Sequence, residues 1–420
     1  MRLGTKHIGI IASLLFFSSE SFASFQDELQ FQIFHYASDN APTIYLSDKT
    51  IFETQNFLTK VDFYFESGLK GAWSLDPDPL RYTLYFDDSE KSLMWFGREH
   101  PLNLTRGYIV EPTSALGSVW VQNQLDALNP RVNGWIGTGI VHELDPKWKF
   151  IATYSPLFIP TFGPSLGFTD RGDLNPSRFA RLPPSNVITG GVNLPIRYQL
   201  RLNQLSELLF RHQVFMGLSH DDPNLNLDAY VYTAPRPMAV PLTDATLAVN
   251  QNDVNAKVYI DPQFPREYWS GMRSQLKELP FHPSVELVQN LTEFSNHIVS
   301  LTGYFESPQI NPFVVKRATR GSFGILSHFQ KEFTDPQFGD FLIFLKLPLD
   351  ITYDLAYRSL VESTLMTGKQ SLYWLNELEY TMKRGLSLLL ALRILAGEDN
   401  SYFGAWRNQS SYSIGVKQLW

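Results

Sequence analysis

The final residues, Tyr412-Ser413-Ile414-Gly415-Val416-Lys417-Gln418-Leu419-Trp420, alternate side chain by side chain, and the same period of two returns along most of the chain. Successive side chains of a β-strand point to opposite faces. This ending therefore puts Tyr412, Ile414, Val416 and Trp420 on one face and Ser413, Gly415 and Lys417 on the other. Lys60 to Glu66 repeats the pattern, with Val61, Phe63 and Phe65 against Asp62, Tyr64 and Glu66. Pro195 to Asn203 is the cleanest case, setting Ile196, Tyr198, Leu200 and Leu202 against Arg197, Gln199, Arg201 and Asn203. Val254 to Ile260, Val299 to Glu306, Ile351 to Arg358, Leu372 to Tyr380 and Leu386 to Ile394 continue it. Turn residues separate the runs, as at Asn133-Gly134, Asp145-Pro146, Asp221-Asp222-Pro223 and Asp261-Pro262.

At the front of the chain, Arg2, Lys6 and His7 precede the apolar run Ile8 to Phe17, and Ser21-Phe22-Ala23 supplies a small-x-small cleavage pattern. Residues 1–23 read as a secretory signal peptide. That run is shorter than the roughly 20 residues a membrane helix needs, and Gly385 to Ala396, the longest later apolar stretch, is also short and is interrupted by Arg393. A membrane span here must then be a closed β-barrel, because only closure pairs every backbone group away from water. Aromatic residues make up 14% of the chain and charged residues 18%, the latter below the roughly 25% of soluble proteins. Cysteine is absent, although an exported chain meets an oxidising compartment. Removing Arg2, Lys6 and Glu20 with the signal takes the formal net charge from −7 to −8, which does not point to nucleic acid.

A last strand that is apolar on one face, polar on the other and closed by an aromatic residue resembles the ending of bacterial outer-membrane β-barrels. The resemblance implies a place in the outer membrane, contact with its lipid, and insertion by the barrel-assembly machinery. Gln418 departs from the pattern, standing where such strands usually carry an apolar side chain. The expected fold is all-β, a single antiparallel transmembrane barrel spanning 59–420. With roughly 10 residues per tilted strand plus its connection, the mature chain holds about 16 strands, in a range of about 14 to 18. Residues 24–58 alternate less regularly and form a lead-in, a plug or a first hairpin. Loops are expected near 155–194 and 234–252, which are long and rich in proline, and Leu205 to Leu218 leans to strand. A soluble, secreted β-protein is the rival fold.

On the expected inner face, Arg98, Arg197, Arg201, Arg358 and Arg393 oppose Asp62, Glu66, Asp354, Glu377 and Glu379. These ten are the candidate pore-lining residues. Rows of opposite charge either impose a transverse field on a hydrated channel or neutralise one another inside a plugged barrel. Met94-Trp95-Phe96-Gly97-Arg98-Glu99 resembles the Gly-Arg-acid strand motif of porin-like and alginate-export-like barrels, which implies an Arg98 that meets anionic or sugar-acid solutes. In the long loop, Arg171, Asp173, Arg178 and Arg181 either enter the channel as a constriction or lie on the surface.

No catalytic constellation can be assembled. His220-Asp221-Asp222 offers an imidazole beside two carboxylates, but also reads as an Asp-Asp-Pro turn. The histidines, among them His100, His142, His212 and His297, lack metal-binding spacing, and no cofactor is implied. The expected function is a porin-like channel for passive diffusion of small polar or anionic solutes, with sugar acids or oligosaccharides as candidates. A plugged structural or assembly barrel is the alternative, a rim-located hydrolase a further one. The oligomeric state stays open.

Overall fold

The computed structural model describes residues 24–420 apart from 38–41, 68–72, 87–90, 105–133, 161–165, 169–173, 177–185, 190, 202–208, 237–239, 251–252, 291–295, 307–319, 331–340, 367–368, 383–384, 399–400 and 402. The signal-peptide segment lies outside the described residues, as do Arg171, Asp173, Arg178 and Arg181. In chain order the strands begin with β1 (Ser24–Tyr36), β2 (Thr43–Glu53), β3 (Phe57–Glu66), β4 (Trp73–Tyr85), β5 (Ser92–Glu99), β6 (Trp135–Glu143) and β7 (Trp148–Leu157). Next come β8 (Leu166–Phe168), β9 (Leu174–Pro176), β10 (Asn186–Thr189), β11 (Val192–Leu200), β12 (Gln213–Asp221), β13 (Leu225–Pro235), β14 (Val240–Asn250), β15 (Asp253–Gln263) and β16 (Arg266–Leu276). The last are β17 (Ser284–Asn290), β18 (Asn296–Glu306), β19 (Arg320–Gln330), β20 (Phe341–Asp350), β21 (Leu355–Met366), β22 (Lys369–Thr381), β23 (Leu386–Gly397) and β24 (Ser411–Leu419).

Eighteen of these form one antiparallel wall, β1 to β7, then β12, β13 and β16 to β24, and β24 pairs back onto β1 so that the wall closes. Closure leaves no edge, which is what permits a sheet to face lipid. The start of β1 and the end of β24 lie at one end, where connections such as 54–56, 144–147, 222–224 and 382–385 are short. In barrels of this kind that is the periplasmic end, and the long connections face outward.

Alternation gives the wall its two faces. In β24, Ser411, Ser413 and Gly415 are buried inward while Tyr412, Ile414 and Val416 are exposed outward. Met216, Val231, Met272, Leu287, Leu301, Ile325, Leu345 and Leu390 extend the exposed apolar surface around the outside. An apolar belt of this extent far exceeds the few hundred Å² that soluble proteins leave uncovered. None of the described helices is long and apolar enough to cross a membrane.

The count is eighteen strands rather than about 16, and the first segment of the chain supplies the additional two. Ser24–Tyr36 and Thr43–Glu53 make a wall hairpin, with Phe31 opposite Leu46 and Ile33 opposite Ile44. Conversely, two of the best alternating segments leave the wall: β11 and β15 pair in parallel, and with β10 and β14 form a separate four-stranded sheet. Alternation reports two faces in different surroundings, and a sheet separate from the wall satisfies that as well as a barrel does. Of Leu205 to Leu218, residues 205–208 lie outside the described ones and strand β12 begins at Gln213, and Ile351 to Asp354 is a turn that precedes β21.

Two segments fold against the inner wall. The 3-10 turn Pro101–Leu104 follows β5 and brings Leu104 onto a cluster of Trp135, Val141, Ile151, Phe215, Tyr230 and Ala234. The 3-10 segment Gly404–Gln409 lies between β23 and β24, and Phe403 and Trp406 join Phe34, Tyr36, Tyr45, Leu360, Tyr373 and Leu395 in a second cluster. Phe403 and Tyr373 are fully buried, their rings 5.6 Å apart.

Candidate functional site

The inner wall holds charged side chains at defined heights because cross-strand register brings them level. Arg358 on β21 stands opposite Glu377 on β22. Its Nη1 donates to Glu377 Oε1 at 3.1 Å and to Glu379 Oε2 at 2.7 Å, and Lys417 Nζ on β24 meets Glu379 Oε1 at 2.6 Å. Four residues on three strands thus form one network, and three of them are sequence candidates. The ammonium and guanidinium groups balance the charge of two carboxylates in a partly buried place.

The other candidates are dispersed. Asp62 is almost fully buried on the inner row of β3 and faces Lys60 Nζ at 3.7 Å, near Lys49, which meets Glu28 at 3.5 Å. Glu66 ends β3, and its side chain lies outside the described ones. Arg393 stands opposite Leu375, its guanidinium 5.7 Å from the Phe34 ring, within the second aromatic cluster. Asp354 is exposed in the turn between β20 and β21.

Arg98 is paired in register with Leu80, an outward residue. Asp78 Oδ2 holds Arg98 Nη2 at 3.3 Å, and Arg98 Nη1 donates to the Pro77 carbonyl at 3.2 Å. Gly97 precedes it with φ +127°, and a Cβ there would stand 2.0 Å from the Leu80 carbonyl oxygen, so the motif's glycine serves a backbone bend. Arg197 and Arg201 belong to the separate sheet region. Arg197 on β11 is exposed, and Arg201 sits 3.7 Å over the Tyr259 ring with Asp244 and Asp261 each at 3.9 Å.

Two inner-wall charge groups were not among the sequence candidates. Arg81 Nη1 reaches Glu99 Oε2 at 3.2 Å. On neighbouring strands, Asp228, Arg273 and Glu286 stand in one register row, all nearly inaccessible, and the Tyr230 hydroxyl donates to Glu286 Oε1 at 3.0 Å. The Arg273 guanidinium nitrogens make no hydrogen bond among the described residues. The signal was present in the sequence, since Leu227, Ala229 and Val231 alternate with Asp228, Tyr230 and Tyr232. Tyr230 leans across Gly271, where a Cβ would come within 2.2 Å of its ring, and Tyr232 and Trp269 continue the aromatic surface at 6.0 Å and an interplanar angle of 15°.

The His220-Asp221-Asp222 triplet does not converge. His220 packs 4.4 Å from the Trp148 ring, Asp221 binds Lys277, and Asp222 binds Lys147. The bond to Lys147, helped by the Asn224 N–H, lowers the Asp222 carboxyl below its ordinary value, and Asp222 in turn raises Lys147. Just beyond β5, burial lowers the His100 imidazole to about 4. Among the described residues no group of three His, Asp or Glu side chains could hold a metal.

Closed wall, lipid-compatible exterior and polar interior define a transmembrane β-barrel of the outer-membrane class. Among solved structures, the chain is similar to Pseudomonas aeruginosa OprD, with a TM-score of 0.47 and 8% identity over 95% of this chain and 94% of that one. It is also similar to Acinetobacter baumannii OccAB3, with a TM-score of 0.47 and 9% identity over 95% and 99%. Outer-membrane expressed OmpT of Vibrio cholerae gives a TM-score of 0.38 and 8% identity over 96% and 99%. No protein-family model and no curated protein sequence matches the chain.

Proposed function

We propose that this chain is an outer-membrane channel of porin type that passes small polar or anionic solutes by passive diffusion, with sugar acids and oligosaccharides as the candidate classes. The observation that carries the reading is a closed wall with ionisable side chains of both signs facing inward from several of its strands. Fixed charges in a hydrated lumen sort solutes by charge and width. The reading requires outer-membrane lipid and the barrel-assembly machinery as partners.

Purified protein in planar bilayers should give discrete conductance steps, and their absence at every salt concentration and voltage would sink the channel reading. Arg358→Ala should then move the reversal potential under a salt gradient toward cation preference, because Glu377 and Glu379 lose a counter-charge. A second reading, a plugged structural barrel, draws on the inner-wall packing of Phe403 and Trp406. It predicts a folded barrel without conductance.

A further inference from the structure

Two histidines on the outside of the barrel carry the same device at opposite rims. His142, near the end of β6, stands directly opposite Ser92, the first residue of β5, and both share the outward row of Ile140 and Met94. Ser92 Oγ and His142 Nδ1 are 2.6 Å apart. At the other end, His212 immediately precedes β12 on the outward row of Met216, beside Tyr154 of β7. The Tyr154 hydroxyl and His212 Nδ1 are also 2.6 Å apart, with the two rings stacked at 19°. Both histidines and Tyr154 are exposed.

A hydroxyl hydrogen left unpaired beside lipid costs free energy, while an imidazole nitrogen accepts it readily. With the hydroxyl as donor to Nδ1, the neutral ring carries its own proton on Nε2. Each ring presents one N–H donor outward. The belt of exposed apolar side chains lies between the two rims, so these donors stand at headgroup height, one in each leaflet.

We propose that His142 and His212 are lipid-headgroup anchors whose Nε2–H groups donate to phosphate oxygens of membrane lipids. A phosphate oxygen is the strongest acceptor in that layer, and a hydrogen bond to a charged acceptor is stronger than one to an ester carbonyl. The anchors fix the vertical position of the β5–β6 and β7–β12 sector in the bilayer. They require membrane insertion but not conduction, so failure of the channel reading leaves them standing.

The full-length protein, His142→Phe, His212→Phe and the double variant are folded into vesicles of phosphatidylethanolamine and phosphatidylglycerol. In parallel they are folded into galactolipid vesicles, which keep the glycerol esters but carry no phosphate. Phenylalanine keeps an aromatic ring and removes both nitrogens, so the lost Nδ1 acceptor is common to the two lipids and the lost Nε2–H donor is felt only where phosphate is present. The urea midpoint of the double variant should fall by about 0.5 M more in phospholipid than in galactolipid. An equal fall in both lipids, or none in phospholipid, overturns the proposal. Should the variants not fold, nitrogen-15 histidine NMR of the unaltered protein in phospholipid nanodiscs decides. A proton on Nε2 with a phosphorus contact supports the anchors, and a proton on Nδ1 or no phosphorus contact refutes them.

Discussion

Tyr230 lies so close over Gly271 that no side chain fits beneath its ring. Gly271→Val should cost about 1–3 kcal/mol by overpacking, seen as a lower urea midpoint of the folded barrel. His100 makes a pH-dependent contribution of definite sign. Its folded value of about 4 lies below the roughly 6.5 of an unfolded histidine. Between those values only the unfolded state takes up the proton, so stability present above about 6.5 is lost as pH falls toward 4. His100→Gln should lose less stability between pH 7 and pH 5 than the parent, measured by urea unfolding. At this scale the alternation of β21 and β22 made the inward row of Arg358, Glu377 and Glu379 legible. Arg98 was not, because its orientation depends on the Gly97 bend and on Asp78, neighbours that strand periodicity does not contain.

Strands inherit their faces from alternation, and β24 is the plainest example, with Ile414 outward near its middle. Ile414→Arg should cost about 2–4 kcal/mol if that position lies at bilayer mid-depth, measured as the shift in unfolding free energy of the vesicle-inserted barrel. The same substitution at an inward position such as Ser413 tests the lumen instead and should leave the lipid contact intact. Alternation also set the limit of what could be read. Pro195 to Asn203 alternates as cleanly as any wall strand, yet β11 pairs in parallel with β15 in the separate sheet. Side-chain period records that two environments differ, not whether the apolar one is lipid or a partner sheet. Ser24–Tyr36 has a less regular pattern and is nevertheless wall, because β2 on one side and β24 on the other supply its hydrogen bonds.

Closure belongs to the whole molecule and can be tested on the chain's own terms. Ile33 and Ile414 face each other across the junction of first and last strands, and the chain contains no cysteine. Ile33→Cys combined with Ile414→Cys should form an intramolecular disulfide, seen as altered mobility of the boiled protein that reductant reverses. An open sheet, or a first segment docked inside the lumen, would give no such bond. The sequence alone determined that this chain is built of two-faced strands and has no apolar stretch long enough for a helical span. It also determined which side chains of a given strand share a face, because side-chain direction follows from local backbone geometry. Only the tertiary structure decided that the wall has eighteen strands, which alternating segments it excludes, and that Lys417 completes the network of Arg358 and Glu379. Those outcomes depend on backbone pairing between segments far apart in the chain, and pairing is chosen by the sheet as it closes.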